Sequence, residues 1–356
     1  MTGYPGQAAD GTAIWYEDRK RWLWLLSVTY PLQPFIGIAL HAGTGQQAWL
    51  LLPLALTWIG GPLLDALVGE DENNPPDEVV MALERDTYYR VLTWVAVPMH
   101  FACFYGTAWW VGTQPLAWWA WTGLSVVAGM TAGLAINTGH ELGHKRSRLE
   151  RALSRLVLTV PAYGHFTIDH NRGHHRDVAT PEDCASARMG ESIYRFALRE
   201  IPGAFRRAWS LESERLAARG LAAWHPGNRV LRSLALTAMV QGVVVVAFGW
   251  SMLGFLVIHN LCAWWQLTSA NYVEHYGLLR MKDANGRYER CRPHHSWNSN
   301  HLVSNLSLFH LERHSDHHAN PQRRYQSLRH FPTCRRCPRA TSVPTSSRGC
   351  RRCGSG

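Results

Sequence analysis

The distribution of charge along the chain is the strongest constraint on its fold. Residues 22–64, 91–140 and 233–273 contain no Asp, Glu, Lys or Arg. Each run is about twice as long as the roughly 20 residues that a helix needs to cross a bilayer. Backbone groups in lipid must be hydrogen-bonded within the protein, so runs of this composition predict membrane-spanning helices. Buried helices of a large soluble protein are the alternative, and three such runs argue against it.

Turn-forming residues interrupt each uncharged run near its middle. The sequences are HAGTGQQ at 41–47, VGTQP at 111–115 and FGWSMLG at 248–254. Such residues end helices, so each run predicts a hairpin of two helices. The predicted fold class is therefore an all-α integral membrane protein, with six transmembrane helices arranged as three hairpins.

The basic residues predict how the hairpins are oriented. Every Lys and Arg lies outside the hairpin tips, in the N-terminal segment, in 65–90, in 141–232 or after residue 273. By the positive-inside rule, these segments lie in the cytoplasm. The net charge of +10 arises mainly from Arg323 onward, where no acidic residue occurs, so it gives little reason to expect nucleic acid as a partner. Basic loops at a membrane favour anionic lipid or an acidic protein.

Two segments, 141–232 and 274–329, are predicted to form a cytoplasmic cap over the helices. Within the first, helix-favouring residues from 190 to 220 predict two amphipathic helices separated near Pro202. We expect residues 1–329 to form a single membrane-bound domain.

Histidine clusters at the cytoplasmic ends of the runs predict a metal site. Eight of the 19 histidines fall into three tight clusters, and a ninth directly follows the last run. His140 and His144 are four residues apart, so on a helix they share one face and can bind one metal. The nine are His140, His144, His170, His174, His175, His275, His314, His317 and His318.

Two other functions fit parts of this pattern. HELGH at 140–144 matches the zinc-protease motif, in which Glu141 would be the general base. A catalytic zinc needs only about three protein ligands, whereas nine histidines suffice for two metals. A metal transporter or sensor would have ligands midway along its helices, but these clusters lie at helix ends.

Imidazole ligands alone do not select the metal, because they suit zinc, copper, iron and nickel. Four carboxylates flank the clusters, and we expect them to accept the outer ring N–H of ligand histidines and fix their tautomers. The alternative is that these carboxylates are ordinary solvent-exposed charges with no role at the metal site. They are Glu141, Asp169, Glu274 and Asp316.

The spacings H-x3-H, H-x3-H-H and H-x2-H-H resemble those of membrane-bound di-iron desaturases and hydroxylases. Within that superfamily, four segments resemble the bacterial alkane 1-monooxygenases, and NYVEHYG separates that group from the fatty-acid desaturases. The resemblance runs from about residue 20 to residue 329. The segments are NTGHELGHK, HNRGHHRDVATPED, LTSANYVEHYGLLR and PHHSWNSNHLVSNLSLFHLERHSDHHANP.

The resemblance implies two non-haem iron ions, with all nine histidines as metal ligands and catalytic residues. It implies hydroxylation of the terminal carbon of medium-chain n-alkanes with O2. The electrons would come from rubredoxin, itself reduced by an NAD(P)H-dependent reductase. The location would be the bacterial inner membrane, with the site on the cytoplasmic side. A related fatty-acid desaturase or hydroxylase is the neighbouring alternative.

An alkane has no polar group, so its binding must come from burial, about 0.8 kcal/mol per CH2. A channel through the helices would supply that burial and orient the terminal methyl group. We further hypothesise that a bulky residue such as Trp58 limits chain length. The apolar candidates for the channel are Trp58, Leu134, Ile136, Phe166, Leu267 and Leu308.

Residues 330–356 depart from the family pattern. Four of the eight cysteines lie there in C-x2-C-x12-C-x2-C order, which on its own suggests a metal site. However, the segment has almost no apolar residues with which to build a core. A GC-rich coding sequence read in another frame would restore a family-like continuation. We therefore predict a frame-shifted, disordered tail.

Overall fold

The computed structural model describes residues 3–332 and consists mostly of helices. The predicted tail lies outside the described residues from 333 onward. The first elements are two strands, β1 (Gly3–Gln7) and β2 (Ala13–Glu17), which pair antiparallel. This hairpin corrects the all-helical prediction. Asp10-Gly11 turns the chain, with Gly11 at a φ of 86° and Asp10 accepting from the Thr12 backbone N–H, and this dipeptide is a known hairpin signal.

The α-helices follow in chain order, and several are joined by short 3-10 or π-helical turns. They are α1 (Leu25–Thr29), α2 (Pro34–Thr44), α3 (Leu52–Ala55), α4 (Gly61–Val68), α5 (Asp77–Arg85), α6 (Thr87–Thr113), α7 (Trp118–Gly143), α8 (Arg148–Val157), α9 (Phe166–Asp169), α10 (His175–Asp177), α11 (Ile193–Ala217), α12 (Arg229–Phe248), α13 (Met252–His275), α14 (Leu302–Ser307) and α15 (His314–Ala319).

Within residues 3–332, four helical segments are long and apolar enough to cross a membrane. They are Gln47–Val68, α6, α7 and α12, and a fifth is the pair Arg21–Leu32 and Pro34–Thr44 if that pair, bent by 55°, counts as one span. Proline explains the bend, because its ring prevents a regular helix from continuing. Helix α13 is 24 residues long but includes His259, Asn260, Gln266 and Asn271, which lower its hydropathy. These helices identify the chain as a multi-pass membrane protein. The number of six spans remains a prediction.

All three predicted breaks lie between helices. Helix α2 ends at Thr44, and Gly45 follows in the left-handed conformation. Helices α6 and α7 are separated by residues 114–117. Gly249, at a φ of 90°, follows α12. Glycine tolerates these backbone angles without strain, so it ends the helices where the sequence pattern indicated.

Helix α11 corrects the prediction of two cap helices, because it runs unbroken through Pro202. Proline in a helix removes one hydrogen bond and normally bends or breaks it. Here Phe196 and Ala197 are buried before the proline, and Ala204 and Ala208 are buried after it. Packing on both sides therefore holds one continuous helix against α9 and α13.

Helices α7 and α13 pack closely against each other; α7 carries His140, with His144 at its C-cap, and α13 carries His275. A Cβ atom placed on Gly129 would lie 2.5 Å from the His259 carbonyl oxygen and 2.7 Å from the Cys262 Cβ. Such distances are shorter than van der Waals contact, and one of the atoms belongs to backbone. Glycine at 129 is thus required for α7 and α13 to pack at this distance.

We expect Gly129→Ala to destabilise the protein by about 1–3 kcal/mol, because the helices must separate to admit the methyl group. The measurement is the thermal midpoint of the protein in detergent. Gly242→Ala, in α12, is the matched control, since no atom lies within 4 Å of a Cβ built there. Equal midpoints for the two variants would show that α7 and α13 can adjust freely.

Candidate metal centre

The nine predicted histidines lie at helix ends or in short helical turns. His140 is in the last turn of α7, and His144 caps that helix. His275 is the last residue of α13, while His314, His317 and His318 lie on α15. The other three, His170, His174 and His175, lie in a π-helical turn and at the start of α10. A π-helical turn is rare and often marks a functional site, because it changes which side chains share one face.

The structure brings all nine histidines together in two groups. In each group, the ligand nitrogens lie within 4.8 Å of one another. The five-histidine group contains His140, His144, His170, His175 and His317. The four-histidine group contains His174, His275, His314 and His318.

The Nε2 atoms of these histidines point at one another. In the five-histidine group, the Nε2 of His317 lies 2.9 Å from that of His140 and 3.2 Å from that of His175. In the four-histidine group, the Nε2 of His314 lies 2.9 Å from that of His318 and 3.2 Å from that of His275. Several lone pairs thus converge on each of two points, as they do around a metal ion.

Burial keeps the imidazoles neutral. Burial, and then the neighbouring histidines, lower the pKa of His314, His317 and His318 well below the usual range. A neutral imidazole has one N–H and one free lone pair, so converging nitrogens cannot all be satisfied by each other. The Nε2 of His144 is buried without a hydrogen-bond partner among the described residues. The donor set therefore fits metal ions, one in each group.

The two groups adjoin each other. The ring centroids of His175 and His318, from different groups, are 4.4 Å apart, and those of His170 and His174 are 5.1 Å apart. Two metal ions held by these groups would share one buried pocket. This arrangement suits chemistry that needs two metals.

Asp183 is the carboxylate that orients a ligand histidine. Its Oδ2 lies 2.9 Å from the Nδ1 of His174 and also accepts from Ser186, while its Oδ1 accepts from Arg207 at 2.9 Å. Burial alone would raise the pKa of Asp183, but His174 and Arg207 lower it below the usual range. The ionised carboxylate therefore fixes His174 with its N–H at Nδ1, which leaves Nε2 free for a metal.

Asp183 is absent from the predicted carboxylates, although it lies only nine residues after His174. The available signal was its position at the end of HHRDVATPED, a segment that begins with the ligands His174 and His175. Its role depends on the turn that folds residues 178–186 back on the site, and that turn includes Ala179 at a φ of 56°.

Three of the predicted carboxylates bind cationic side chains instead of ligand histidines. Asp169 pairs with Arg207, and Asp316 pairs with Arg323 at 2.7 Å. Glu141 lies 2.9 Å from the Lys145 Nζ and accepts from the Tyr325 backbone N–H. Each is buried, so a cation is needed to offset its desolvation. The expected contact with an outer ring N–H is thus replaced by ion pairs, and Glu141 is not free to act as a protease base.

Glu274 contacts the inward-facing nitrogen of a ligand histidine, whereas the sequence predicts a contact with an outer ring N–H. Its Oε2 is 3.3 Å from the Nε2 of His314, the nitrogen that faces the four-histidine group. Carboxylate oxygen is itself a metal ligand. Glu274 therefore lies among the atoms that face the metal position.

The apolar channel candidates differ in how close they lie to the histidines. The Phe166 ring stacks on His170, and Phe166 and Leu267 line a small cavity with His170 and His174. Ile136 is buried, and Leu134 and Leu308 are half-buried. Trp58, on the turn Leu56–Gly60, is 51% exposed on the outside of the bundle. Phe166 and Leu267 thus adjoin the centre, whereas Trp58 is half-exposed at the surface.

Comparison with known proteins places this chain in a family. Residues 116–331 match the family model for fatty acid desaturase. The chain is 58% identical to an alkane 1-monooxygenase of Ectopseudomonas oleovorans and 57% identical to one of Pseudomonas putida. Each alignment covers 89% of this chain and 79% of the relative. Alkane 1-monooxygenase 1 of Alcanivorax borkumensis is 55% identical over 93% of this chain and 81% of its own length.

Proposed function

We infer that this chain, which belongs to the fatty acid desaturase family and within it to the alkane 1-monooxygenases, hydroxylates the terminal carbon of medium-chain n-alkanes. The observation that carries the proposal is the convergence of nine histidines on two adjoining points. The relatives share this chain's sequence over most of their length, and their names state the reaction class. The substrate range and the position of attack are our extension.

The stoichiometry of the proposed reaction sets what the protein must bind and exclude. One alkane and one O2, with two electrons and two protons, give one 1-alkanol and one water. We propose that rubredoxin supplies the electrons and is itself reduced by an NAD(P)H-dependent reductase. The protein must therefore bind an alkane, exclude bulk water and admit protons.

We propose two iron ions as the metals, one in the five-histidine group and one in the four-histidine group. Imidazole nitrogen suits iron as well as zinc, copper or nickel, so the choice rests on the family. When bound, iron would supply the activation of O2 that no side chain can perform. The chain's own part is to hold the histidines neutral and oriented, as Asp183 does for His174.

The alkane-binding role falls to apolar side chains beside the centre. Phe166 and Leu267 adjoin His170 and His174 and can receive the terminal methyl group. Each buried CH2 contributes about 0.8 kcal/mol, so the length of the apolar path sets the preferred substrate. The hypothesis that Trp58 limits chain length would require that path to open to lipid near the turn Leu56–Gly60.

We propose the bacterial inner membrane as the location, with the centre on the cytoplasmic side. The C-terminal ends of α7 and α13 both carry ligands, His140 and His275, which supports a centre at one membrane face. The basic residues follow these ends along the chain, as the positive-inside rule requires for cytoplasmic segments.

The experiment that tests the proposal combines metal analysis with product analysis. Purified protein should contain about two iron ions per chain, one for each histidine group. With O2, rubredoxin and its reductase, it should convert n-decane to 1-decanol. A single zinc ion per chain, or a desaturated fatty acid as the product, would overturn the assignment.

A further inference from the structure

Glu200 is a buried acid whose side chain faces the cavity beside the metal centre. It lies on α11 of the cap and is 1% exposed. The cavity is lined by Glu200 together with His170 and His174, which belong to different histidine groups. Phe166, Ala204 and Leu267 form apolar parts of the wall. Glu200 is thus an acid from outside the ligand set that shares a cavity with both groups.

The Glu200 carboxyl has two neutral hydrogen-bond partners and no cationic one. Thr268 Oγ1 donates to its Oε2 at 2.7 Å, and Asn271 Nδ2 donates to its Oε1 at 3.1 Å. Two basic side chains of α11 have other partners, since Arg199 pairs with Glu191 and Arg207 pairs with Asp169 and Asp183. Among residues 3–332, Glu200 forms no ion pair. This contrasts with Glu212 on the same helix, which pairs with Arg215.

This environment favours an acid that is poised between its two forms. Burial raises the pKa of Glu200 to about 7, the hydrogen bonds from Thr268 and Asn271 oppose that rise, and the charges of Asp169 and Asp183 add to it. Tyr163 and Cys184 also face this region and carry no charge at neutral pH, since burial raises the pKa of each. A group whose pKa lies near the working pH can both release and regain a proton efficiently.

The ligand histidines are not a proton source for the reaction. Each turnover consumes two protons, while the ligand histidines are neutral and their Nε2 atoms face the metal positions. The cavity has room for about one water molecule and is lined by polar groups that can bind it. Such a water would connect the Glu200 carboxyl with the side of the centre where the two histidine groups meet.

We propose that Glu200 is the proton donor of the reaction. Its carboxyl gives a proton to the cavity water, which passes a proton to the oxygen atom that leaves as water. The carboxylate then regains a proton from the cytoplasmic side, and a second transfer by the same route supplies the second of the two protons that each turnover consumes. The two electrons and the O2 are those of the overall reaction, so the inference rests on the proposed function.

The test uses Glu200→Gln in the full-length, metal-loaded enzyme. Glutamine has nearly the same shape and can still bond to Thr268 and Asn271, but it cannot release a proton. We expect turnover to fall by about 100-fold, as is typical when a proton-transfer group is lost. The iron content should be unchanged, and the remaining activity should no longer fall on the alkaline side of neutral pH.

A second readout does not depend on turnover. In the infrared spectrum, the wild type minus Glu200→Gln difference should contain the C=O band of a protonated carboxylic acid. That band should disappear with a midpoint near the pKa of about 7 as the pH rises. Thr268→Val removes a donor that stabilises the carboxylate, so it should move the midpoint and the alkaline limb of the rate to higher pH.

Glu214→Gln is the matched control, because Glu214 is an exposed acid on the same helix and contacts Ser210. It should retain wild-type turnover and pH dependence. Full activity in Glu200→Gln, or loss of iron from it, would overturn the inference, the second by showing a structural role. If the wild type fails to hydroxylate alkanes, the proposed function fails, while the infrared band still reports on the Glu200 proton.

Discussion

His317→Ala is expected to reduce alkane hydroxylation by about 100-fold or more and to lower the iron content from about two to about one per chain. His317 lies at the middle of the five-histidine group, with its Nε2 near those of both His140 and His175. Loss of an outer partner of a ligand typically costs 10–100-fold in metal affinity, and loss of the ligand itself should cost at least as much. The measurements are metal analysis of the purified protein and product formation from n-decane.

The matched control for this variant is His225→Ala. His225 is exposed and lies outside both histidine groups, and among the side-chain hydrogen bonds of the described residues its ring accepts only from the nearby Gly227 backbone N–H. It should retain two irons and full activity. An unchanged iron content in His317→Ala would contradict the assignment of His317 as a ligand, even if the activity fell.

The division of the nine histidines into two groups could not be predicted from the sequence. His174 and His175 are adjacent in the chain, yet they belong to different groups. Spacing identifies which histidines come near a metal, but the π-helical turn His170–His174 decides which metal each one faces. Similarly, His317 and His318 diverge because successive residues of a helix point about 100° apart.

The carboxylates were harder to predict than the histidines, because an acid beside a ligand in sequence need not contact it in space. Asp316 lies between two ligands on α15, but its carboxylate points to Arg323. Asp183 follows an irregular loop and returns to His174. Side-chain direction on a short helix and the path of a loop are set by tertiary packing, for which the linear sequence has no simple signal.

The membrane helices were more accessible to sequence reasoning, because hydropathy over about 20 residues leaves few alternatives in lipid. The prediction failed where a local signal competes with packing. Pro202 normally separates helices, but burial on both sides keeps α11 continuous. That continuity bears on the proposed role of Glu200, because the residue lies two positions before the proline and contacts Thr268 and Asn271 on α13.

Asp183→Asn is expected to weaken metal binding at the four-histidine group by about 10–100-fold while leaving the five-histidine group loaded. The asparagine oxygen can still accept from the Nδ1 of His174, but the negative charge that strengthens His174 as a ligand is lost. The amide nitrogen, which would take the place of the Oδ1 that faces Arg207, cannot accept a hydrogen bond from it. The measurement is a titration of the purified protein with an iron chelator, which should remove about one iron at much lower chelator concentration than in the wild type.

The charge of Asp183 should matter equally across the neutral pH range. Its pKa lies below the usual value in the folded protein, so the stabilisation that it contributes is present above the unfolded pKa and is lost only as the pH falls through the folded one. Glu182→Gln is the control, since the neighbouring Glu182 is exposed and contacts Tyr288. If both variants released iron at the same chelator concentration as the wild type, the contact of Asp183 with His174 would have no role in holding the metal. A selective loss in Asp183→Asn would instead support the assignment of Asp183 as the residue that orients His174 toward the metal, because within residues 3–332 the exposed neighbour Glu182 makes no contact with a ligand histidine.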